Sequence, residues 1–195
     1  MRRSSYHHGD LKNSIIKSCH KLLQKKGASE FSLREVATLS GVSHAAVYRH
    51  FQDKEEVLEI LSSIGFDRLG SLQKKVPQVS GNPDDYFVKL GLVYVQFAIK
   101  NPNYYRLMFQ TKRTSESKIL KQSKLRSYAI LVRGCRFYLK EKRRKENHRS
   151  FALMAWSLVH GYSNLCIETD FPETESKNLK KTKMEMAEDI LRFSI

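Results

Sequence analysis

Two helix starts stand close together in "FSLREVATLSGVSHAAVYRHF", residues 31–51, with a glycine between them. Ser32-Leu33-Arg34-Glu35 has the spacing of a capping box, in which a serine hydroxyl and a glutamate carboxylate satisfy the free N–H groups of a first turn. Val36, Ala37 and Leu39 give that helix an apolar side. Gly41 follows closely, and Ser43 is placed to cap a further helix that ends near His50 or Phe51. A short helix, a turn containing glycine and a new helix make a helix-turn-helix unit.

Residue periodicity extends the helical reading to the whole chain. Leu11, Ile15, Ile16, Cys19, Leu22 and Leu23 share one face of a first helix, with Asp10 as its N-cap and Gly27 at its end. Asp53 and Glu56 open a longer helix that turns Val57, Leu58, Leu61 and Ile64 inward. "KKVPQVSGNPDD" is the first strong boundary, and Asn82-Pro83 starts a helix that reaches about Lys100. Asn101-Pro102 repeats that cap before "NYYRLMF". A long helix is expected from about Ser115 to Lys142, then a basic loop, then a helix over "SFALMAWSLVHGYSNLCIE". Residues 173–183 read as a flexible connection to a last helix with Met184, Ala187, Ile190 and Leu191. Only four Pro and nine Gly occur in 195 residues, too few for many short strands and tight turns. The fold class expected is all-α, about nine helices in two domains. Residues 1–55 form an arm and a helix-turn-helix domain; residues 56–195 form a helical body.

Hydrophobic residues make up 41% of the chain, enough for a core. The longest nearly apolar run, Gly91 to Ile99, falls well short of the roughly 20 residues that cross a bilayer. The basic start has no apolar segment behind it and does not read as a secretory signal. Cys19, Cys135 and Cys166 are far apart and odd in number, which points to reduced, buried thiols and a cytoplasmic protein. No Gly-rich phosphate loop, activated nucleophile or metal cluster stands out, so neither an enzyme nor a cofactor is expected.

The formal net charge of +15 favours a polyanionic partner. Its distribution tempers that inference, because residues 1–56 carry only +4 of it. On the helix that starts at Ser43, Val47 and Phe51 share an inward face. Ser43, His44, Ala45 and Ala46 form the first turn, the part of such a helix that enters a major groove. Serine and imidazole can hydrogen-bond to base edges, and alanine methyls can touch thymine methyl groups. Arg49 can reach guanine or phosphate, while Tyr48, His50 and Lys54 can hold phosphates.

Gly41, Val42, Ser43, Tyr48, His50, Phe51, Lys54, Glu55 and Leu58, preceded by "FSLREVA", resemble the DNA-binding domain of TetR/AcrR-type transcriptional regulators. "AWSLVHGYSNL", with Trp156, His160 and Gly161, is similar to the Trp-x-x-x-His-Gly signature of one C-terminal subclass. The resemblance implies a bacterial, ligand-responsive repressor that binds a palindromic operator in double-stranded DNA as a homodimer through its last two helices. It implies base or phosphate contacts from Ser32, Arg34, Ser43, His44, Ala45, Ala46, Tyr48, Arg49, His50 and Lys54. Many members carry Gly-Thr where this chain has Ala45-Ala46, which bears on base preference. A non-specific basic nucleic-acid-binding protein is the alternative function.

Three segments keep two readings each. "MRRSSYHHGD" is either an arm near the minor groove or a frayed end. Tyr94, Phe97, Tyr104, Phe109, Tyr128, Trp156 and His160 are either core or the lining for a small hydrophobic or aromatic effector. Lys140, Lys142, Arg143, Arg144, Lys145 and Arg149 are either a solvated loop or a contact with DNA, whether direct or through general attraction.

Overall fold

The computed structural model describes residues 8–78, 81–109 and 116–195. Every regular element among them is a helix, and there are ten: α1 (His8–Lys26), α2 (Leu33–Ser40), α3 (His44–Tyr48), α4 (Lys54–Lys74), α5 (Pro83–Lys100), α6 (Pro102–Phe109), α7 (Lys118–Glu141), α8 (His148–Glu168), α9 (Phe171–Leu179) and α10 (Lys183–Phe193). The expected N-terminal arm lies mostly outside the described residues. α1 begins at His8, ahead of the Asp10 cap expected, because the apolar stripe that starts at Leu11 says nothing about turns upstream of it.

α9 corrects the expectation of a flexible connection over 173–183. Phe171-Pro172 starts a helix there: proline needs no N–H partner in a first turn, and Glu173 suits the positive end of the helix dipole. Pro172 is itself buried, while Lys180 adopts the left-handed conformation that closes the helix. The helix escapes periodicity because few of its side chains face the protein.

The chain divides into two compact units, one of residues up to Gly65 with Asn103–Lys121, the other of Phe66–Pro102 with Gln122–Ile195. In the first unit, Ile15, Cys19 and Leu23 of α1 meet Leu33, Val36 and Ala37 of α2, Val47 of α3, Phe51, and Val57, Leu58 and Leu61 of α4. Tyr104 and Leu107 of α6 join this core. Leu39, expected inward, is 48% exposed; Leu33 takes its place, one turn ahead of Val36 and Ala37. The Glu59 carboxylate accepts the Ser117 N–H at 3.1 Å, and the Ser117 hydroxyl accepts the Leu120 N–H, so α7 starts capped.

In the second unit α5 packs against α8 and α10. Phe87, Tyr138 and Phe151 form an aromatic core, the last two stacked at 5.5 Å and 5°. Asn82 caps α5 through the Asp85 N–H as expected. Asn101 stands directly before α6, which starts at Pro102. Its amide donates to the Phe97 carbonyl at 2.9 Å and so closes the end of α5. All three cysteines are free thiols and buried. Burial pushes the Cys19 and Cys135 thiols up to about 12. No helix among the described residues is long and apolar enough to cross a membrane.

Gly41 lies between α2 and α3 in a left-handed backbone conformation. It sits at φ 67° while a Cβ there would meet nothing within 4 Å, so the demand is conformational rather than steric. Gly41→Ala is expected to destabilise the chain by about 1 kcal/mol, and Gly41→Asn by less. Urea unfolding of the three proteins measures the difference.

Candidate nucleic-acid interface and ligand cluster

The head is set by reciprocal caps. The Glu35 N–H donates to the Ser32 hydroxyl at 3.2 Å, and the Ser32 N–H donates to the Glu35 carboxylate at 2.9 Å. Lys26 donates to the same carboxylate at 2.5 Å, which ties the end of α1 to the start of α2. These partners, Lys26 first, hold the Glu35 carboxyl below its ordinary range. The Lys26–Glu35 pair was not legible in the sequence, since the two meet only because the turn after Gly27 folds back. Gly41 then ends α2 with its own N–H and that of Val42 directed at Thr38 and Ala37 carbonyls.

Ser43 caps α3 by accepting the Ala46 N–H at 3.2 Å. Val47 is fully buried, which fixes the rotation of this short helix. Ser43, His44, Ala45, Tyr48 and Arg49 are consequently exposed on α3 and at its ends, while Ala46 and His50 are half-buried; Ser32 and Arg34 are exposed at the start of α2. Tyr48 is 48% exposed and packs edge-on against His44, ring centroids 4.8 Å apart. Lys54 has a different setting from the others. Its ammonium lies 3.3 Å from the Ser29 carbonyl and 4.9 Å from the Phe31 ring centre, across the turn between α1 and α2.

The seven aromatic and histidine candidates do not form one group. Tyr94 of α5, Tyr128 of α7, and Trp156 and His160 of α8 come together in the second unit. The Trp156 indole N–H donates to the Tyr94 hydroxyl at 3.3 Å, and that hydroxyl lies 2.9 Å from His160 Nδ1. The Tyr128 and Trp156 rings are 6.0 Å apart. Phe97 is buried on α5, one turn beyond Tyr94. Tyr104 and Phe109 belong to the first unit. Tyr104 is 2% exposed and pairs with His20 Nδ1 at 2.7 Å, while Phe109 packs on Tyr105.

Burial holds the His160 imidazole below its ordinary value of 6.5. A neutral imidazole that accepts the Tyr94 proton at Nδ1 carries its own proton on Nε2. Indole, phenol and imidazole together give an apolar region a small set of oriented polar groups. Among the described residues no three His, Cys, Asp or Glu side chains are grouped to hold a metal.

The fold and the exposed α3 define a DNA-binding transcriptional regulator of the helix-turn-helix class. The family model described as "Bacterial regulatory proteins, tetR family" matches residues 15–61, and that described as "Tetracyclin repressor-like, C-terminal domain" matches residues 87–185. The chain belongs to the TetR family of bacterial regulators. It is 24% identical over 171 residues to the nucleoid occlusion factor SlmA of Vibrio vulnificus, spanning 83% of this chain and 86% of that protein. A Rhodococcus sp. RHA1 protein described as of unknown function has a similar fold, with a TM-score of 0.78 and 24% identity over 99% of both chains. A TetR/AcrR family regulator from Thermobifida fusca aligns with a TM-score of 0.68 and 18% identity over 95% of this chain and 96% of that one.

The His160 setting has a sign in pH. A histidine whose pKa is lower folded than unfolded contributes stability that is present above pH 6.5 and is lost as pH falls toward the folded value. The thermal midpoint is therefore expected to drop below pH 6.5, and to drop less steeply in His160→Gln. Melting curves across pH 5 to 8 for both proteins measure the contribution.

Proposed function

We propose that this chain is a ligand-responsive repressor that reads a palindromic operator as a homodimer. Residues 1–55 form the reading head and residues 56–195 the body that binds effector and partner. The observation that carries the reading is α3: its buried Val47 leaves Ser43, His44, Ala45, Tyr48 and Arg49 exposed along one short helix. His44 and Ser43 read base edges, with Ala45 and Ala46 allowing close approach. Tyr48, His50, Arg49, Arg34, Ser32 and Lys54 hold the phosphate backbone and so fix register. Lys54 reaches a phosphate by giving up its contact with the Ser29 carbonyl.

The dimer forms through α8 and α10, with α9 contributing beside them. Leu153, Met154 and Leu165 of α8, Phe171 and Leu179 of α9, and Phe193 of α10 are large apolar side chains left exposed. Gly161 has open space around it, which suits close crossing by a helix of a second copy. An apolar groove of about 270 Å³ between α8, α9 and α10, lined by Leu165, Phe171, Met186 and Phe193, continues this surface. Such a two-fold dimer binds two half-sites in successive major grooves.

The effector is small and hydrophobic or aromatic, held at the cluster of Tyr94, Tyr128, Trp156 and His160. It releases DNA by binding better to a conformation whose two heads are wrongly spaced; equal affinity for both states would change nothing. α4 contributes residues to both compact units and is the element through which this coupling runs.

Selection of bound duplexes from a random pool tests the reading, with enrichment of a near-palindromic site expected. Uniform retention of every sequence would replace it with a non-specific basic nucleic-acid-binding protein. On the selected site, Tyr48→Ala is expected to weaken binding about 10-fold or more for matched and mismatched sequences alike, as removal of a phosphate-holding group should. His44→Ala is expected to change the preferred bases in the half-site. Fluorescence anisotropy against a panel of single-base variants separates the two patterns.

A second prediction concerns the dimer. Gly161→Leu is expected to shift the chain toward monomer, and sedimentation at micromolar concentration reads it. A dimer of undiminished stability would remove α8 from the interface.

A further inference from the structure

Most of the chain's positive charge lies outside the reading head. Residues 118–149 hold twelve Lys and Arg against two Glu, a surplus of ten out of the +15 total. Nine of these cations, from Arg126 onward, fall into two sets. Lys142 is bound to Asp84 at 2.9 Å, Arg144 to Glu146 at 2.8 Å, and Arg126 to Asp67 at 3.0 Å. Arg144 also lies over the Phe151 ring, at 5.3 Å. In these three a nearby carboxylate balances the positive charge.

The second set has no acidic partner among the described residues. It consists of Arg133, Arg136 and Lys140 on α7, Arg143 and Lys145 in the turn, and Arg149 in the first turn of α8. All six are exposed. The three α7 residues recur at helical spacing, about one turn of ~5.4 Å apart, so they share a face. Arg136 lies 3.3 Å from His148 Nε2, which brings the α8 end of the set beside the α7 end. An uncompensated cluster of this density repels itself unless an anion answers it.

We infer that this α7–α8 surface is a second, sequence-independent contact for duplex DNA, separate from the head. Four of the six cations are arginine, whose planar fork pairs with phosphate oxygens. The exposed side chains of residues 142–150 are all polar. A membrane-surface site would instead need apolar side chains there to enter the headgroup region. Exposed charge spread over α7, the turn and the start of α8 fits a repeating phosphate backbone rather than one small anion.

The test uses the full-length chain and a duplex that lacks any selected operator, so it reads out whether or not the head proves sequence-specific. Binding is measured against salt concentration for the natural chain, for Tyr48→Ala, and for a variant with Arg133, Arg136, Lys140 and Arg149 all changed to Gln. Tyr48→Ala is expected to keep most of the salt dependence. The patch variant is expected to lower the slope of log K against log salt by about 0.9 for each phosphate it no longer neutralises, so by about 2 to 4. Changing Lys142 and Arg144 to Gln should move the slope little, because both are already paired.

An unchanged slope in the patch variant overturns the inference. So does an equal fall in the Lys142 and Arg144 variant, which would mean bulk charge without a patch. Loss of binding to phosphatidylglycerol vesicles with duplex binding intact overturns it in favour of a membrane surface. Helicity and thermal midpoint confirm that each variant is folded. A separate pair, Arg143→Gln with Lys145→Gln in the turn, repeats the test should the fourfold change disturb α7.

Discussion

The head depends on how little chain separates the end of α2 from the start of α3. Gly41 takes a left-handed conformation, its N–H and that of Val42 satisfy the last carbonyls of α2, and Ser43 caps α3 two residues later. A serine cap contributes about 1 kcal/mol and a left-handed glycine avoids a penalty of similar size. α3, only five residues long, could not persist alone, since isolated helices of that length are unstable in water. Its existence rests on these caps and on the complete burial of Val47. The exposure of His44, Tyr48 and Arg49 is the geometric consequence, because a helix pinned at one buried residue has its other faces decided.

The second unit uses polar groups differently. Tyr94, Trp156 and His160 come from two helices far apart in the chain and hydrogen-bond to one another within partly buried surroundings. Each would be costly to bury unpaired, and together they restrict how α5 and α8 can slide past each other. Close contacts at two glycines tighten the same bundle. A Cβ on Gly91 would stand 2.6 Å from Leu191, and one on Gly134 would stand 2.6 Å from Leu90. The Tyr94, Trp156 and His160 cluster is thus set into helix contacts with little room to vary.

Much of this is legible in the sequence. The capping box at Ser32, the glycine at 41, the cap at Ser43 and the inward set of α1 and α4 follow from spacing and local hydrogen bonding, which involve residues only a few positions apart. The failures share a cause. Leu39 turned outward because its neighbours on α2 decide which stripe meets α1. α9 was missed because a largely exposed helix needs no apolar period. Tyr104 and Phe109, grouped by sequence with the aromatic residues of the body, lie in the unit of the head, because chain order does not follow the division into units.

Sequence alone determined the all-α class, the helix-turn-helix and the residues offered by its second helix, because capping and periodicity act over one or two turns. Tertiary structure decided which distant side chains meet: Tyr94 with Trp156 and His160, and Tyr104 with His20. It also decided which cations of the basic stretch are answered. Lys142 and Arg143 are neighbours in sequence and alike in charge, yet one is bound to Asp84 and the other has no carboxylate partner among the described residues. The distinction rests on where a residue 58 positions away is brought by the packing of α5. Electrostatic pairing falls off over a few ångströms, so it is a property of the folded arrangement and cannot be read from composition.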